Sequence, residues 1–306
     1  EISEINIAKP GFLNITFKTF FWESFLQNVI KLNLRYGSIK TDQKKINIEF
    51  VSANPTGPLH VGHCRGAVLG DVIANLLIFN GHQVVKEYYV NDYGSQVKNF
   101  VKSVYFRILE ILEKKEFVYD KDMYPGDYVI DVAKKILLEK NIKNFSNFEK
   151  IKEELEVESL KFSLDLIKKN LSMLGIKHDA FIHESDLIKK RIVEITIKKL
   201  EQSNHVYYGK LDAPKTVDND TWVSRKQILF KSTKFGDDMD RALQKKDDTW
   251  TYFAGDIGYH AHKIERNFDS LINILGADHA GYIKRITSAV KAISNNKTNL
   301  VCKVSQ

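Results

Sequence analysis

Apolar and polar positions alternate from Ile46 to Phe50: Ile46, Ile48 and Phe50 are apolar, Asn47 and Glu49 polar. That is the two-residue period of a β-strand. The following stretch, Ser52 to Pro58, holds two prolines and a glycine and reads as a loop. Beyond it Leu69, Val72, Ile73, Leu76 and Leu77 recur at helical spacing, predicting a helix from about 62 to 79 that Asn80-Gly81 closes. Val84 to Val90 reads as a second strand. Upstream, Phe21, Phe25, Val29, Leu32 and Tyr36 share one helical face, ended by Gly37. From about 95 to 205 the pattern is mostly helical and rich in lysine and glutamate, whereas 206–254 mixes β-branched and aromatic residues with turn clusters and predicts strands. A helix from Asp256 to about Arg266, a strand at Leu271–Leu275, a helix from about Ile283 and a strand near Leu300–Val304 follow. No internal repeat or low-complexity linker interrupts the series. Strands and helices alternating in both halves predict an α/β fold built on a doubly wound parallel sheet.

Composition narrows this only a little. With 306 residues and 43% hydrophobic content, the chain has material for one large core or two smaller ones. A net charge of +7 and a pI near 9.0 favour polyanionic partners, although an excess of lysine is also what a solvated surface looks like. The two cysteines, Cys64 and Cys302, form neither a framework nor a CxxC pair, which fits a reducing, cytoplasmic compartment. No uninterrupted apolar run approaches membrane-spanning length and no signal peptide is visible, so no membrane partner is expected.

The candidate chemistry sits where the first loop meets the first long helix, at His60-Val61-Gly62-His63. Free N–H groups and the positive end of the helix dipole there favour an anion. Gly62 lets a flat ring approach the backbone, and the histidines are donors for charge on a phosphate. Read alone, H-x-G-H also fits two metal ligands on one helical face or simple polar surface. His260, His262 and the aspartates Asp237, Asp238 and Asp240 are other conceivable ligands, better explained by a helix surface and an acidic loop; no metal site is expected.

The longer string ANPTGPLHVGH (53–63) resembles the first signature of the class I aminoacyl-tRNA synthetases, and most closely that of the arginyl-tRNA synthetase family. YYVNDYGSQV (88–97), FGDDMDR (235–241), TYFAGDIGYH (251–260) and GADHAGY (276–282) resemble later blocks of the same family, in order along nearly the whole chain. The resemblance implies a Rossmann-like catalytic domain with a mainly helical connective insertion. Residues 1–20 then resemble the end of an N-terminal additional domain and 21–45 a connector helix. Residues 46–95 are expected to form the first half of the catalytic domain, 96–250 the insertion (helical, then β-rich) and 251–306 the second half.

It also implies an arginine–tRNA ligase, which activates L-arginine with ATP and Mg2+ and passes it to tRNA(Arg), acting as a monomer. His60 and His63 are the expected catalytic donors; Gly62, His63, Gly276 and Asp278 the ATP contacts. Glu49, Tyr252 and Asp256 are expected in the side-chain pocket, and Asn54 and His279 on the amino acid's backbone groups, with Ser52 and Gln96 nearby. Carboxylates suit a guanidinium because its planar donor fork is matched bidentately. Lys303-Val304-Ser305-Gln306 is a poor match to the family's second, KMSKS-like signature: it lacks the second lysine and follows a strand-like run. The chain therefore reads as a fragment whose second signature and anticodon-binding domain lie beyond residue 306. It is expected to bind arginine or ATP weakly and not to charge tRNA by itself. Another HxGH nucleotidyltransferase or class I synthetase, and a non-catalytic nucleotide- or RNA-binding module, are the alternatives.

Overall fold

In the computed structural model the described residues are 1–39, 42–114, 116, 120–139, 141–211 and 225–305, and the side chain of Asp278 lies outside them. A hairpin of β1 (Ile2–Ala8) and β2 (Phe12–Phe17) leads into helix α1 (Thr19–Leu32). Strand β3 (Lys45–Glu49), helix α2 (Val61–Phe79) and strand β4 (Gln83–Val90) form the first β–α–β unit. Three long helices follow, α3 (Ser95–Glu113), α4 (Asp127–Glu139) and α5 (Phe148–Met173). They bury Val97, Phe100, Val104, Val129, Ile136 and Leu155 in a core of their own.

Strand β5 (Ala180–His183) then runs into α6 (Glu184–Lys189) and α7 (Ile192–Gln202). The short strands β6 (Val206–Gly209), β7 (Gln227–Phe230) and β8 (Arg241–Ala242) make a separate antiparallel sheet. The strands expected over 206–254 are therefore present where the chain is described; 212–224 lies outside the described residues. Helix α8 (Tyr252–Glu265), strand β9 (Ser270–Gly276), helix α9 (Ile283–Ile293) and strand β10 (Asn299–Ser305) complete the order.

The main sheet has the order β10-β9-β3-β4-β5 and every pair in it is parallel. The chain winds outward from β3 through β4 to β5, then returns to lay β9 and β10 on the other side. Between β3 and β9 lies the switch point, where doubly wound sheets open a crevice at the carboxyl ends of the strands.

Both faces of this sheet are covered, as parallel sheets require. Ile48, Phe50 and Tyr88 pack with Ala67 and Ala74 of α2 and with Leu164, Ile167 and Leu171 of α5. Gly70 makes that contact close: a Cβ there would meet Phe50 Cγ at 2.3 Å. The alternation at 46–50 suggests a polar, solvated second face, but Asn47, Glu87 and Asn273 on that face are all buried. Glu87 gathers most of the contacts: Asn47 Nδ2 donates to it at 3.0 Å, Tyr259 Oη of α8 at 2.8 Å, and Arg266, just past that helix, pairs with it at 2.6 Å.

Three elements go beyond what the sequence pattern shows, and for one of them an expected boundary is corrected. The 95–205 stretch contains β5, a strand of the main sheet; four residues are too few for a two-residue period to stand out from a helical turn. Helix α8 begins at Tyr252 and not at Asp256, because Thr251 is its cap, accepting from Ala254 N at 3.2 Å. By length and composition α2 is apolar enough to cross a bilayer, although Arg65 and Asp71 interrupt its apolar run. Here Asp71 is paired with Lys86 of β4 at 2.7 Å.

Candidate active site

The loop after β3 is bent sharply and pinned at several points. Val51 (φ 72°) and Ser52 (φ 43°) are both left-handed, a conformation that is costly for a β-branched residue. Ser52 Oγ donates to Glu49 Oε1 at 2.9 Å and accepts from Tyr89 N at 3.0 Å. Tyr88 Oη holds Ala53 O at 2.7 Å and Tyr128 Oη holds Thr56 O at 2.9 Å. So fastened, the loop delivers His60 as the cap of α2.

The two histidines close a reciprocal capping arrangement. Gly62 N donates to His60 Nδ1 at 3.1 Å, His60 N donates to His63 Nδ1 at 3.2 Å, and the rings stack with centroids 3.7 Å apart. Each Nδ1 is thereby an acceptor, so each neutral ring carries its proton on Nε2. Burial and the neighbouring His60 lower the pKa of His63, which keeps it a neutral donor. A Cβ on Gly62 would sit 3.0 Å from His60 Cε1, so the glycine leaves that ring its place. Gly276 ends β9 on the same edge of the sheet and is exposed, while the side chain expected to accompany it, that of Asp278, lies outside the described residues.

Beside this edge lies a cavity of about 390 Å³ lined by Tyr89, Asn91, Glu184, Tyr252, Gly255, Asp256, His279 and Tyr282. Its floor is acidic. Burial, with the nearby charge of Glu49, pushes the Asp256 carboxyl up to about 6 even though Tyr282 Oη donates to it. Burial and the charges of Asp256 and Asp92 push Glu184 up to about 7. With its amide nitrogen turned inward, Asn91 donates to Glu184 Oε2 at 2.7 Å. Tyr252 stands at the mouth, 81% exposed, with Lys245 Nζ 5.2 Å from its ring centre.

The structure thus gathers Tyr252, Asp256 and His279 around one cavity. Glu49 does not line it: its carboxylate is taken by Lys263 Nζ at 2.5 Å and by Ser52, and it reaches Asp256 through the electrostatic field. Asn54 and Gln96 hydrogen-bond to each other on the exposed side of the loop and do not line the cavity either. Glu184, Tyr89 and Tyr282 are lining residues that sequence reasoning missed. The signal for Glu184 was its place directly after β5, at the carboxyl end of a parallel strand. Asp92 holds that turn, accepting from Ser185 N at 2.8 Å and meeting His183 Nδ1 at 2.7 Å.

His260 is not on a helix surface as expected: it is buried, and burial lowers its pKa to about 3. Asp237 is likewise inside, bonded to Arg241 and Ser232, each at 2.7 Å. Among the described residues no group of three or more His, Cys, Asp or Glu is arranged to hold a metal ion.

The catalytic-domain profile of the class I tRNA synthetases specific for arginine matches residues 25–303. The chain belongs to the class I arginyl-tRNA synthetase family. The arginine–tRNA ligase of Pelagibacter ubique is 57% identical over 308 residues, covering 100% of this chain and 53% of that protein. That of Anaplasma phagocytophilum is 49% identical over 99% of this chain and 52% of its own length. The chain therefore spans about half the length of these curated arginyl-tRNA synthetase relatives. A Campylobacter jejuni structure assigned to arginyl-tRNA synthetase superposes with a TM-score of 0.79 at 30% identity, over 94% of this chain and 60% of that one. The Thermus thermophilus arginyl-tRNA synthetase, at 17% identity and a TM-score of 0.65, shares the fold over 99% of this chain and 54% of its own.

Proposed function

We propose that these residues form the arginine- and ATP-binding part of a cytoplasmic arginine–tRNA ligase. The observation that carries this reading is the cavity floored by Asp256 and Glu184, two carboxyls whose pKa values are pushed well above the ordinary range by burial and by neighbouring acids. Such a pair is uncomfortable alone and is relieved by a planar cation that donates to both carboxylates in their ionised form. A guanidinium meets that need, and a neutral isostere such as citrulline leaves the acids unpaired.

In this reading Tyr252 closes the mouth over the arginine side chain, and Asn54 and His279 take its ammonium and carboxylate. Glu49 and Ser52 support that end of the site, with Gln96 orienting Asn54. MgATP lies along the edge formed by Gly62, His63, Gly276 and Asp278, its metal ion carried by the phosphates as part of the substrate. The arginine carboxylate oxygen attacks the α-phosphorus, the bond to the β-phosphate bridging oxygen breaks, and pyrophosphate leaves with the electron pair. The His60 and His63 Nε2–H groups, fixed by the capping bonds, donate to the charge gathering on the phosphate oxygens. No protein nucleophile is needed; positioning and fixed donors suffice. The second substrate is tRNA(Arg), consistent in sign with the chain's net charge of +7.

ATP–pyrophosphate exchange by the complete gene product, with and without tRNA(Arg), tests the reading. Exchange that depends on arginine is expected. Exchange supported by another amino acid, or none under any condition, overturns it.

A further inference from the structure

Beneath the pocket, a cation whose charge acts on Asp256 is sealed from water. The Lys263 side chain is 0% exposed; its Nζ meets Glu49 Oε2 at 2.5 Å and Asn273 Oδ1 at 3.2 Å, with the Tyr259 ring centre 4.4 Å away. The contacts continue in an ordered chain. Asn273 Nδ2 donates to His260 Nε2 at 3.0 Å, and His260 Nδ1 lies 2.8 Å from the backbone oxygen of Asp256. Each polar assignment forces the next: Lys263 has only protons to give, so Asn273 presents its oxygen to Lys263 and its amide to His260. His260 must then accept at Nε2 and donate from Nδ1.

The fold alone does not call for such a chain. A buried ion pair is often replaceable by well-packed apolar residues at little loss of stability, so burying a lysine points to what the charge specifies. Here it specifies a carboxylate. Without Lys263, Glu49 would lose its ion-pair partner and repel Asp256 the more; Glu49 already raises the Asp256 carboxyl as things stand.

Resting on the proposed arginine site, we propose that Lys263 is a positioning residue for it. It fixes the Glu49 carboxylate in place beneath the pocket. Through Asn273 and His260 it also ties Glu49 to the first turns of α8, so that Glu49 and Asp256 keep one fixed separation. Lys263 touches no substrate and acts only through Glu49 and this chain of contacts.

Steady-state exchange kinetics of the complete gene product test this. Lys263→Met is expected to raise the arginine KM at least tenfold, leave the ATP KM within twofold and change kcat far less than the arginine KM. Because the lysine acts through Glu49, the double variant Lys263→Met/Glu49→Gln should match Glu49→Gln alone. It also removes both buried charges together, which preserves a folded reference. If Lys263→Met by itself does not fold, Lys263→Gln, which keeps hydrogen-bonding atoms for Glu49 and Asn273, is expected to raise the arginine KM at least threefold. An arginine KM within twofold of wild type in the folded lysine variants overturns the proposal. So do losses that multiply in the double variant, as two independent structural lesions would. Failure of the arginine site itself looks different: Glu49→Gln and Asp256→Asn would then leave the arginine KM unchanged as well.

Discussion

At the level of single residues, the site works through groups whose protonation is set by their neighbours. Backbone N–H donors occupy the Nδ1 atoms of His60 and His63, which leaves Nε2 of each ring as its donor. Replacing His63 by alanine is expected to lower the rate of arginine-dependent exchange by about a hundredfold or more, with arginine affinity in calorimetry little changed, because in the proposed reaction that donor acts on developing phosphate charge. Asp256 and Glu184 behave in the opposite sense from most carboxyls. Their folded-state pKa values, about 6 and about 7, lie above the unfolded ones, so the folded, ligand-free chain holds protons that the unfolded chain releases. Their contribution is therefore fully present below the unfolded carboxyl range, near pH 4, and is lost as pH rises through 6 and 7. Arginine affinity should rise over the same window, because the cation needs the ionised forms. Asp256→Asn should raise the ligand-free stability at pH 8 by about 1–3 kcal/mol in denaturant titrations while abolishing measurable arginine binding. A stability that climbs with pH between 5 and 7 would contradict this account of the pair. The histidines and Asp256 were legible from the sequence because short motifs carry them. Glu184 was not, since its only local mark is a place after a four-residue strand.

Among elements, α2 and β3 were readable nearly to their ends, because a long apolar period and a proline-rich loop leave few alternatives. What the pattern did not reveal is how closely they meet. Gly70 lies against the Phe50 ring, where an added methyl would approach Cγ at 2.3 Å. Gly70→Ala, normally helpful in a helix, is therefore expected to destabilise the protein by about 1–3 kcal/mol, read as a lower urea midpoint with an unchanged slope. An unchanged or higher midpoint would show that the helix can shift outward freely. The start of α8 was misplaced for a different reason. Thr251 is both an acceptable strand residue and a good cap, and only the bond it accepts from Ala254 N decides between them. That decision matters to the site: on the helix, Asp256 lies one turn from Tyr252, so that both face the cavity.

Over the whole molecule, the β10-β9-β3-β4-β5 order brings residues from distant parts of the sequence to one edge: Glu184 follows β5, the His60 cap follows β3, and His279 follows β9. Binding at that edge links the sheet, α6 and α8, so arginine should stabilise the molecule as a unit. At one hundred times its dissociation constant it should add about 2.7 kcal/mol, raising the melting temperature by a few degrees. Lysine and citrulline at the same concentration should leave it nearly unchanged; an equal shift with citrulline would show that charge is not what the pocket reads.

The one-dimensional pattern was enough to determine the alternation of strands and helices, the helix N-terminus bearing paired histidines, and the family these motifs belong to. Those features are local, set by periodicity, turn residues and short strings. Only the folded chain decided that Asn47, Glu87 and Asn273 lie on a sealed face, that Glu49 is already held by Lys263, and that Glu184 joins Asp256. Each of these depends on which strands become neighbours. A sequence shows that a side chain is polar, but the partner that makes its burial tolerable comes from another element, as when Lys263 of α8 meets Glu49, 214 residues away in the chain.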